Sequence, residues 1–207
     1  MKHQHLLPKP VQEILGFWFG ALLDRSVPIS KERRALWFAG RAATDQMIRD
    51  RFATTLNFAL KNACQDWLAV PLARLAYIVL LDQFSRHIHR GTPAAFAGDQ
   101  HALAASLAGM ERGVDLELNP VGRAFFYLPL EHAEDLSFQE RSVAAFDNLR
   151  TLASESQKGY FESFYDYAIR HRDVIARFGR FPHRNRILGR DSTLEERDFL
   201  KQPGSSF

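Results

Sequence analysis

The sequence predicts an all-α protein in which antiparallel helix pairs form a single domain over residues 1–207, as a bundle or short solenoid. Apolar residues recur with the helical period along most of the chain. No six-residue stretch shows strand alternation bounded by turns. Prolines, glycines and capping residues divide the chain into segments of helical length. We expect an ordered core over about residues 10–200, with loosely held termini.

The first third of the chain contains four predicted helices. One apolar stripe follows Pro10, and Ser30 is a suitable N-cap for the second helix. The third pattern includes Ile48 and continues to Trp67. Pro71 opens the fourth segment, which is apolar on nearly all sides and is therefore predicted to be the central helix.

The middle of the chain has clear start and stop signals. A helix is predicted over residues 99–111, with Gly113 as its C-terminal cap. Asn119 is an N-cap residue, and Pro120 occupies the first helical position of the following helix. We expect Pro129 to interrupt that helix, because proline lacks the backbone N–H group.

Three further helices complete the prediction. A capping box at residues 137–140 is expected to begin the first of them. The second extends from about Gly159 to Gly179. Overlapping capping boxes at residues 192–196 precede a short last helix.

Composition favours a cytoplasmic protein. Cys64 is the single cysteine, which excludes an intramolecular disulfide and fits a reducing compartment; small apolar packing explains it better than a catalytic thiol does. The N-terminal residues contain no apolar signal core. The longest apolar run, residues 75–81, is far shorter than the roughly 20 residues of a membrane span.

Positive charge is concentrated near the C-terminus. The whole chain has a net charge of +3, but residues 168–190 contain seven arginines and one acid, Asp173, which leaves −3 for the remainder. A GC-rich genome explains some of the excess of arginine over lysine, but it does not explain the clustering. Arginine is suited to planar, bidentate contacts with anions.

The first candidate site continues the central helix. Asp82, Arg86 and Arg90 are spaced four residues apart, so we expect them to lie along one helix face. Polar side chains on a buried helix need partners, which are either other side chains or a ligand. The simpler interpretation is that Asp82 pairs with Arg86.

The second candidate site surrounds His132, which has Glu131 before it and Glu134 and Asp135 after it. Neighbouring acids raise the pKa of a histidine, so a general acid or base is one interpretation and an ion pair is the other. A metal site is not predicted, since no His-Glu-x-x-His, Glu-x-x-His or paired-cysteine motif is present.

The third candidate site is the irregular Gly/Pro segment that follows the long helix. We expect Arg180, His183, Arg184 and Asn185 to contact a ligand there, because binding residues favour loops on a rigid frame. The alternative is that the arginines tie this loop to the acids at residues 131–135. Single-stranded nucleic acid is disfavoured by the negative remainder of the chain.

These same residues carry a resemblance to a family. The chain resembles the mainly bacterial family DUF924 (domain of unknown function nine-two-four) from about Val11 to Leu200. The similar runs are Leu81–Arg86, Arg90–Pro93, Tyr127–His132 and Arg177–Asn185. The resemblance implies a tetratricopeptide-like all-α fold and supplies no activity or catalytic residue. Ser85 and His87 replace the proline and asparagine expected in the family, which makes both poor candidates for essential chemistry.

Two functions are compatible with these observations. In the first, a cleft lined by Arg86, Arg90, Glu131 and the loop residues binds a phosphate or carboxylate, and His132, His183 or Asp82 is a candidate catalytic residue. In the second, a tetratricopeptide-like adaptor binds an acidic peptide or protein partner. The sequence favours the first, leaves open whether the protein is an enzyme and what its oligomeric state is, and predicts no cofactor.

Overall fold

The computed structural model describes residues 7–23 and 28–205, and within these ranges the regular secondary structure is helical, without strands. Helix accounts for 74% of the described residues, which confirms the predicted all-α fold. The α-helices are α1 (Lys9–Phe19), α2 (Lys31–Phe38), α3 (Ala42–Leu60), α4 (Pro71–Val79), α5 (Ser85–Ile88), α6 (Asp99–Glu111), α7 (Pro120–Glu131), α8 (Leu136–Leu152), α9 (Lys158–Phe178) and α10 (Leu194–Phe199). Short 3-10 turns occur at Gly20–Leu23, Gln65–Ala69, Pro93–Phe96, Val114–Glu117 and Pro182–Arg184.

The centre of the molecule is one long helical rod. α4 passes through a single π-helical turn, Leu80–Phe84, directly into α5. Every residue from Ala73 to Ser85 is buried, as expected for a segment that is apolar on nearly all sides. The rod packs against α1, α3, α6 and α7. A π turn inserts an extra residue into the helix and changes the direction of the side chains that follow, a feature often found at functional sites.

The C-terminal helices support a second wall of the molecule. α8 packs against both α7 and α9, and the short connection at residues 153–157 returns α9 along α8. Val174, Ile175 and Phe181 form a small separate apolar cluster at the end of α9. This cluster fixes the start of the irregular segment that contains the third candidate site.

Capping explains most of the helix boundaries. The Ser30 side chain accepts a hydrogen bond from the backbone N–H of Arg33, and Asn119 does the same for Gly122, as predicted. Thr193 and Glu196 form the predicted capping box of α10.

Three local predictions were wrong. Pro129 lies inside α7, which continues to Glu131; the proline is in the last turn, so its missing N–H group removes only one bond close to an existing end. α8 is capped by Asp135, one residue before its first helical residue, instead of by Ser137. α3 ends at Leu60, where Asn62 adopts a positive φ of 60°, and only a 3-10 turn reaches Trp67.

The predicted looseness of the termini falls partly on residues 1–6 and 206–207, which lie outside the described residues. Among the described residues, Ser205 is buried and its hydroxyl donates to the carbonyl of Leu200. In the part of the chain that the structure describes, no helix combines the length and apolarity that crossing a bilayer requires. The tetratricopeptide-like grouping stays a prediction.

Candidate functional site

A cavity of about 500 Å³ lies between the central rod, α2, α7, α9 and the 3-10 turn at Pro182–Arg184. This volume falls within the range of small-molecule sites. Its polar lining residues are Arg34, Gln83, Arg86, His87, Arg90, Glu131, His132, Tyr160, Ser163, Tyr167, His171, His183 and Arg184. The cavity therefore brings residues from all three sequence-predicted candidate sites together.

One wall of the cavity is aromatic. Trp37 and Phe38 come from α2, and Tyr160 and Phe164 come from α9. The rings of Phe38 and Phe164 are 6.1 Å apart in an edge-on arrangement. Phe38 is 54% exposed, so the aromatic wall extends to the surface. A planar apolar group fits such a wall.

The deepest polar contact in the site joins Asp82 and His132. Asp82 is 1% exposed, and its Oδ1 lies 2.7 Å from His132 Nδ1. Its Oδ2 accepts a 2.6 Å hydrogen bond from Gln83 Nε2. Burial alone raises the pKa of Asp82, but His132 and Arg86 outweigh it and hold that pKa well below its usual range. Burial lowers the pKa of His132 in spite of Asp82, so the structure favours a neutral imidazole beside a carboxylate.

Arg86 extends from α5 toward the start of α6. Its Nη1 and Nη2 donate to the two carboxylate oxygens of Asp99, at 2.7 and 3.1 Å. The same Nη1 donates to the backbone carbonyl of Asp82 at 2.7 Å and lies 3.4 Å from Asp82 Oδ1. The predicted Asp82–Arg86 pair is therefore present, but the stronger partner of Arg86 is Asp99.

Arg184 is the most buried cation of the cavity, with 8% of its side chain exposed. Its guanidinium lies over the rings of Phe181 at 4.4 Å and Phe96 at 4.9 Å, and Nη1 donates to the carbonyl of His132 at 3.0 Å. Its Nε is buried without a hydrogen-bond partner. Burial, reinforced by Arg86, lowers the pKa of Arg184 to about 10.

Glu131 is buried beside the Asp82–His132 pair, at 4% exposure. Its Oε1 lies 3.2 Å from His171 Nδ1, and its Oε2 is buried without a hydrogen-bond partner. Burial and then the charge of Asp82 raise the pKa of Glu131 to about 8. Most Glu131 carboxyl groups therefore carry a proton at neutral pH.

Two more histidines complete the polar end of the cavity. Burial, together with His132, lowers the pKa of His171 to about 3. Burial, together with Arg184, lowers the pKa of His183 to about 4. Both imidazoles are therefore neutral at physiological pH. The polar end thus combines three kinds of group. They are neutral side chains (His132, His171, His183 and Glu131), two arginines (Arg86 and Arg184) and two carboxylates (Asp82 and Asp99).

Arg90 occupies a different position from the one predicted. α5 ends at Ile88, so Arg90 no longer follows the helix face of Asp82 and Arg86. Its Nε and Nη2 donate to the carboxylate of Asp45 on α3, at 2.6 and 2.9 Å. Asp45 also lies 2.6 Å from His87 Nδ1. Arg90 and His87 line the cavity, and both are held by Asp45.

Two predicted ligand residues have structural partners outside the cavity lining. Arg180 donates from Nε and Nη2 to both carboxylate oxygens of Glu196, at 2.7 and 2.9 Å. Asn185 is fully buried; it donates to Ser192 Oγ and accepts from Arg190 Nε. These contacts stabilise the loop that presents Arg184. The prediction that both residues contact a ligand has no support from their positions.

The alternative that arginines tie this loop to the acids at residues 131–135 is confirmed for one pair, Arg190 and Glu134. Arg190 donates to both carboxylate oxygens of Glu134 at 2.6 and 2.8 Å. The backbone N–H of Phe181 also donates to Glu134. Arg184 has no such bidentate partner among the described residues, in contrast to Arg180 and Arg190.

Sequence reasoning missed the face of α9 and the partner of Arg86. Tyr160, Phe164, Tyr167 and His171 all line the cavity, and their spacing of four, three and four residues is a recognisable helical face. Asp99 gave no comparable signal, since an acid in the first turn of a helix is common for electrostatic reasons alone. Within residues 7–23 and 28–205, no three His, Cys, Asp or Glu side chains are grouped as a metal site.

Comparisons with known proteins agree with the resemblance found in the sequence. The model of DUF924, a family of bacterial proteins of unknown function, matches residues 14–204. The solved structure of a protein of unknown function, ATU0120 from Agrobacterium tumefaciens, is similar, with a TM-score of 0.76 and 36% identity over 92% of this chain and 96% of that chain. No curated protein matches. Since the family model spans nearly the whole chain, the protein belongs to DUF924.

Proposed function

We propose that the cavity binds a small molecule in which a carboxylate or phosphate group is attached to an aromatic or similarly flat apolar body. The observation that carries this proposal is the incomplete ion pairing of the buried Arg184 side chain. Its guanidinium is almost fully buried, yet its nearest carboxylate oxygen, Asp99 Oδ2, is 3.7 Å away and belongs to a group already paired with Arg86. A buried cation is costly without a close counter-ion, and a ligand anion supplies one.

The size and lining of the cavity support a ligand with an aromatic or similarly flat apolar body. The volume of about 500 Å³ exceeds what a bare inorganic anion needs, and the cavity lining contains the aromatic wall as well as the polar residues. Trp37 and Phe164 belong to the aromatic part of this lining. The anion fixes the orientation of the ligand, and the apolar body contributes most of the buried area.

The enclosed geometry favours a small molecule over an acidic peptide. An adaptor needs exposed arginines along an open groove, whereas the side chains of Arg86 and Arg184 are only 19% and 8% exposed. Both converge on Phe96, at 5.6 and 4.9 Å from their guanidinium carbons to the ring centroid. The adaptor function remains the outcome that the experiment below would favour if small anions fail.

A matched set of ligands tests the proposal by thermal denaturation. Phenyl phosphate and benzoate are expected to raise the melting temperature by about 5–10 °C at 100 times their dissociation constants, from a stabilisation of about 2.7 kcal/mol. Inorganic phosphate should give a smaller shift at equal concentration, because it lacks the apolar body, and phenol should give little, because it lacks the anion. If none of the anions gives a saturable shift while an acidic peptide does, the proposal is wrong and the adaptor reading replaces it.

A further inference from the structure

We propose that the cavity is also a hydrolytic site, in which His132 acts as the base and Glu131 as the acid in the cleavage of an ester that carries an anionic group. This inference rests on the proposed function, because Arg184 holds the anion of the substrate. In addition to binding, it assigns a hydrolytic reaction, with different roles for the sequence neighbours Glu131 and His132.

The orientation of His132 carries the first step. Its Nδ1 lies 2.7 Å from a carboxylate oxygen of Asp82, and a carboxylate can only accept a hydrogen bond. The hydrogen of the neutral ring is therefore on Nδ1, and the lone pair is on Nε2. His132 lines the cavity, and Nε2 makes no hydrogen bond to any described residue. The ring is a base with a fixed tautomer and a free acceptor atom.

Asp82 is a positioning residue in this arrangement. It is 1% exposed and also accepts from Gln83, so its carboxylate cannot rotate freely. A buried carboxylate that holds the imidazole in one tautomer stabilises the imidazolium that forms when Nε2 takes up a proton. The π turn at Leu80–Phe84 places Asp82 in this position.

Glu131 provides a second, independent observation. Its Oε2 is buried without a partner, which is costly for an ionised carboxylate but tolerable for a protonated one that meets a ligand atom. The raised pKa of about 8 agrees with this protonated form. Glu131 and His132 are consecutive residues that both line the cavity, and their environments drive their pKa values apart.

Water is the only reactant that the reaction needs besides the ester. Nε2 of His132 removes a proton from a water molecule while the water oxygen forms a bond to the acyl carbon. The tetrahedral intermediate then expels the alkoxy oxygen, the carbon–oxygen bond breaks, and that oxygen takes the proton of Glu131. The proton on His132 returns to Glu131 through solvent. The products are one carboxylic acid and one alcohol.

The test uses 4-acetoxybenzoate, which combines a carboxylate, a ring and an acetyl ester, with release of 4-hydroxybenzoate followed by its absorbance. The wild-type protein should accelerate hydrolysis above the buffer rate, and His132→Gln should lower that activity by about 10²–10⁴-fold, the usual contribution of a general base. Glu131→Gln should lower it and remove the loss of rate above pH 8. Asp82→Asn should lower it and shift the acidic limb of the pH profile toward lower pH, since Asp82 raises the pKa of His132.

Binding of benzoate is measured on the same samples. If benzoate binds but 4-acetoxybenzoate hydrolysis is absent, or is unchanged in His132→Gln, the hydrolytic inference is overturned and the binding function stands. If benzoate does not bind and no hydrolysis occurs, the proposed function itself fails and this inference falls with it. Arg177→Lys, whose exposed guanidinium pairs with the exposed Glu195 outside the cavity lining, is the control that should retain both properties.

Discussion

Arg184 Nη1 lies 3.7 Å from Asp99 Oδ2, whereas the same carboxylate receives hydrogen bonds of 2.7 and 3.1 Å from Arg86. One acid therefore serves two buried guanidinium groups and satisfies only one of them. In the same C-terminal segment, Arg180 and Arg190 each have a carboxylate of their own, on Glu196 and Glu134. The incomplete pairing of Arg184 is the basis of the proposal that this cavity binds a ligand anion.

Substitution of Glu131 tests the electrostatics of the cavity. A carboxyl group whose pKa is raised on folding stabilises the protein fully below its usual pKa, near 4.5, and loses that contribution as the pH rises toward about 8. Glu131→Gln removes this loss. The free energy of unfolding of the variant relative to wild type, measured with urea, should increase between pH 5 and 8 by up to about 1.4 kcal/mol per pH unit and then level off. A difference that is constant from pH 5 to pH 9 would refute the raised pKa.

Asp82→Asn tests whether the buried network is needed for folding. The change leaves Arg86 and His132 without the charge that both contact. Removing one member of a buried ionic network typically costs about 3–5 kcal/mol. The matched control is Asp173→Asn, an exposed surface pair with Arg172, which should stay within about 0.5 kcal/mol of wild type. Equal urea midpoints for the two variants would contradict the assigned network.

Gly98→Ala tests the close packing that positions Asp99 beside Arg86. A Cβ atom at Gly98 would lie 3.0 Å from the carbonyl carbon of Leu81 and still closer to its oxygen, in the backbone of the π turn. We expect a destabilisation of about 1–3 kcal/mol in thermal denaturation, as for overpacked cores. Gly16→Ala, inside α1 with no atom within 4 Å of the added Cβ, should instead stabilise by about 0.5–1 kcal/mol. Stabilisation by both substitutions would mean that the rod and α6 are packed less tightly than described.

Much of the fold was predictable because local signals agree with one another. Ser30, Pro71, Asn119 and Thr193 each mark a helix start that the structure confirms. The errors arose at helix ends, where two local signals lie close together and only one of them sets the boundary. Pro129, for example, stands so close to the end of α7 that it removes little and does not stop the helix.

The site was harder to predict than the fold. Similar residues have different side-chain partners, and those partners come from distant parts of the chain. Arg180 and Arg184 are four positions apart in one basic run, yet Glu196 from α10 pairs with the first and not with the second. Arg90 was expected beside Asp82, but the rod ends before it, and Asp45 of α3 holds it instead. The roles assigned to His132, His183 and Asp82 stay predictions.

The most direct test of the central claim is isothermal titration of phenyl phosphate into wild type, Arg184→Lys and the surface control Arg177→Lys. Lysine keeps the positive charge but loses the planar guanidinium that lies between Phe96 and Phe181. We predict saturable binding to wild type, a dissociation constant raised about 10-fold or more in Arg184→Lys, equivalent to about 1.4 kcal/mol, and little change in Arg177→Lys. Equal affinity of all three proteins, or no binding to wild type, would contradict it.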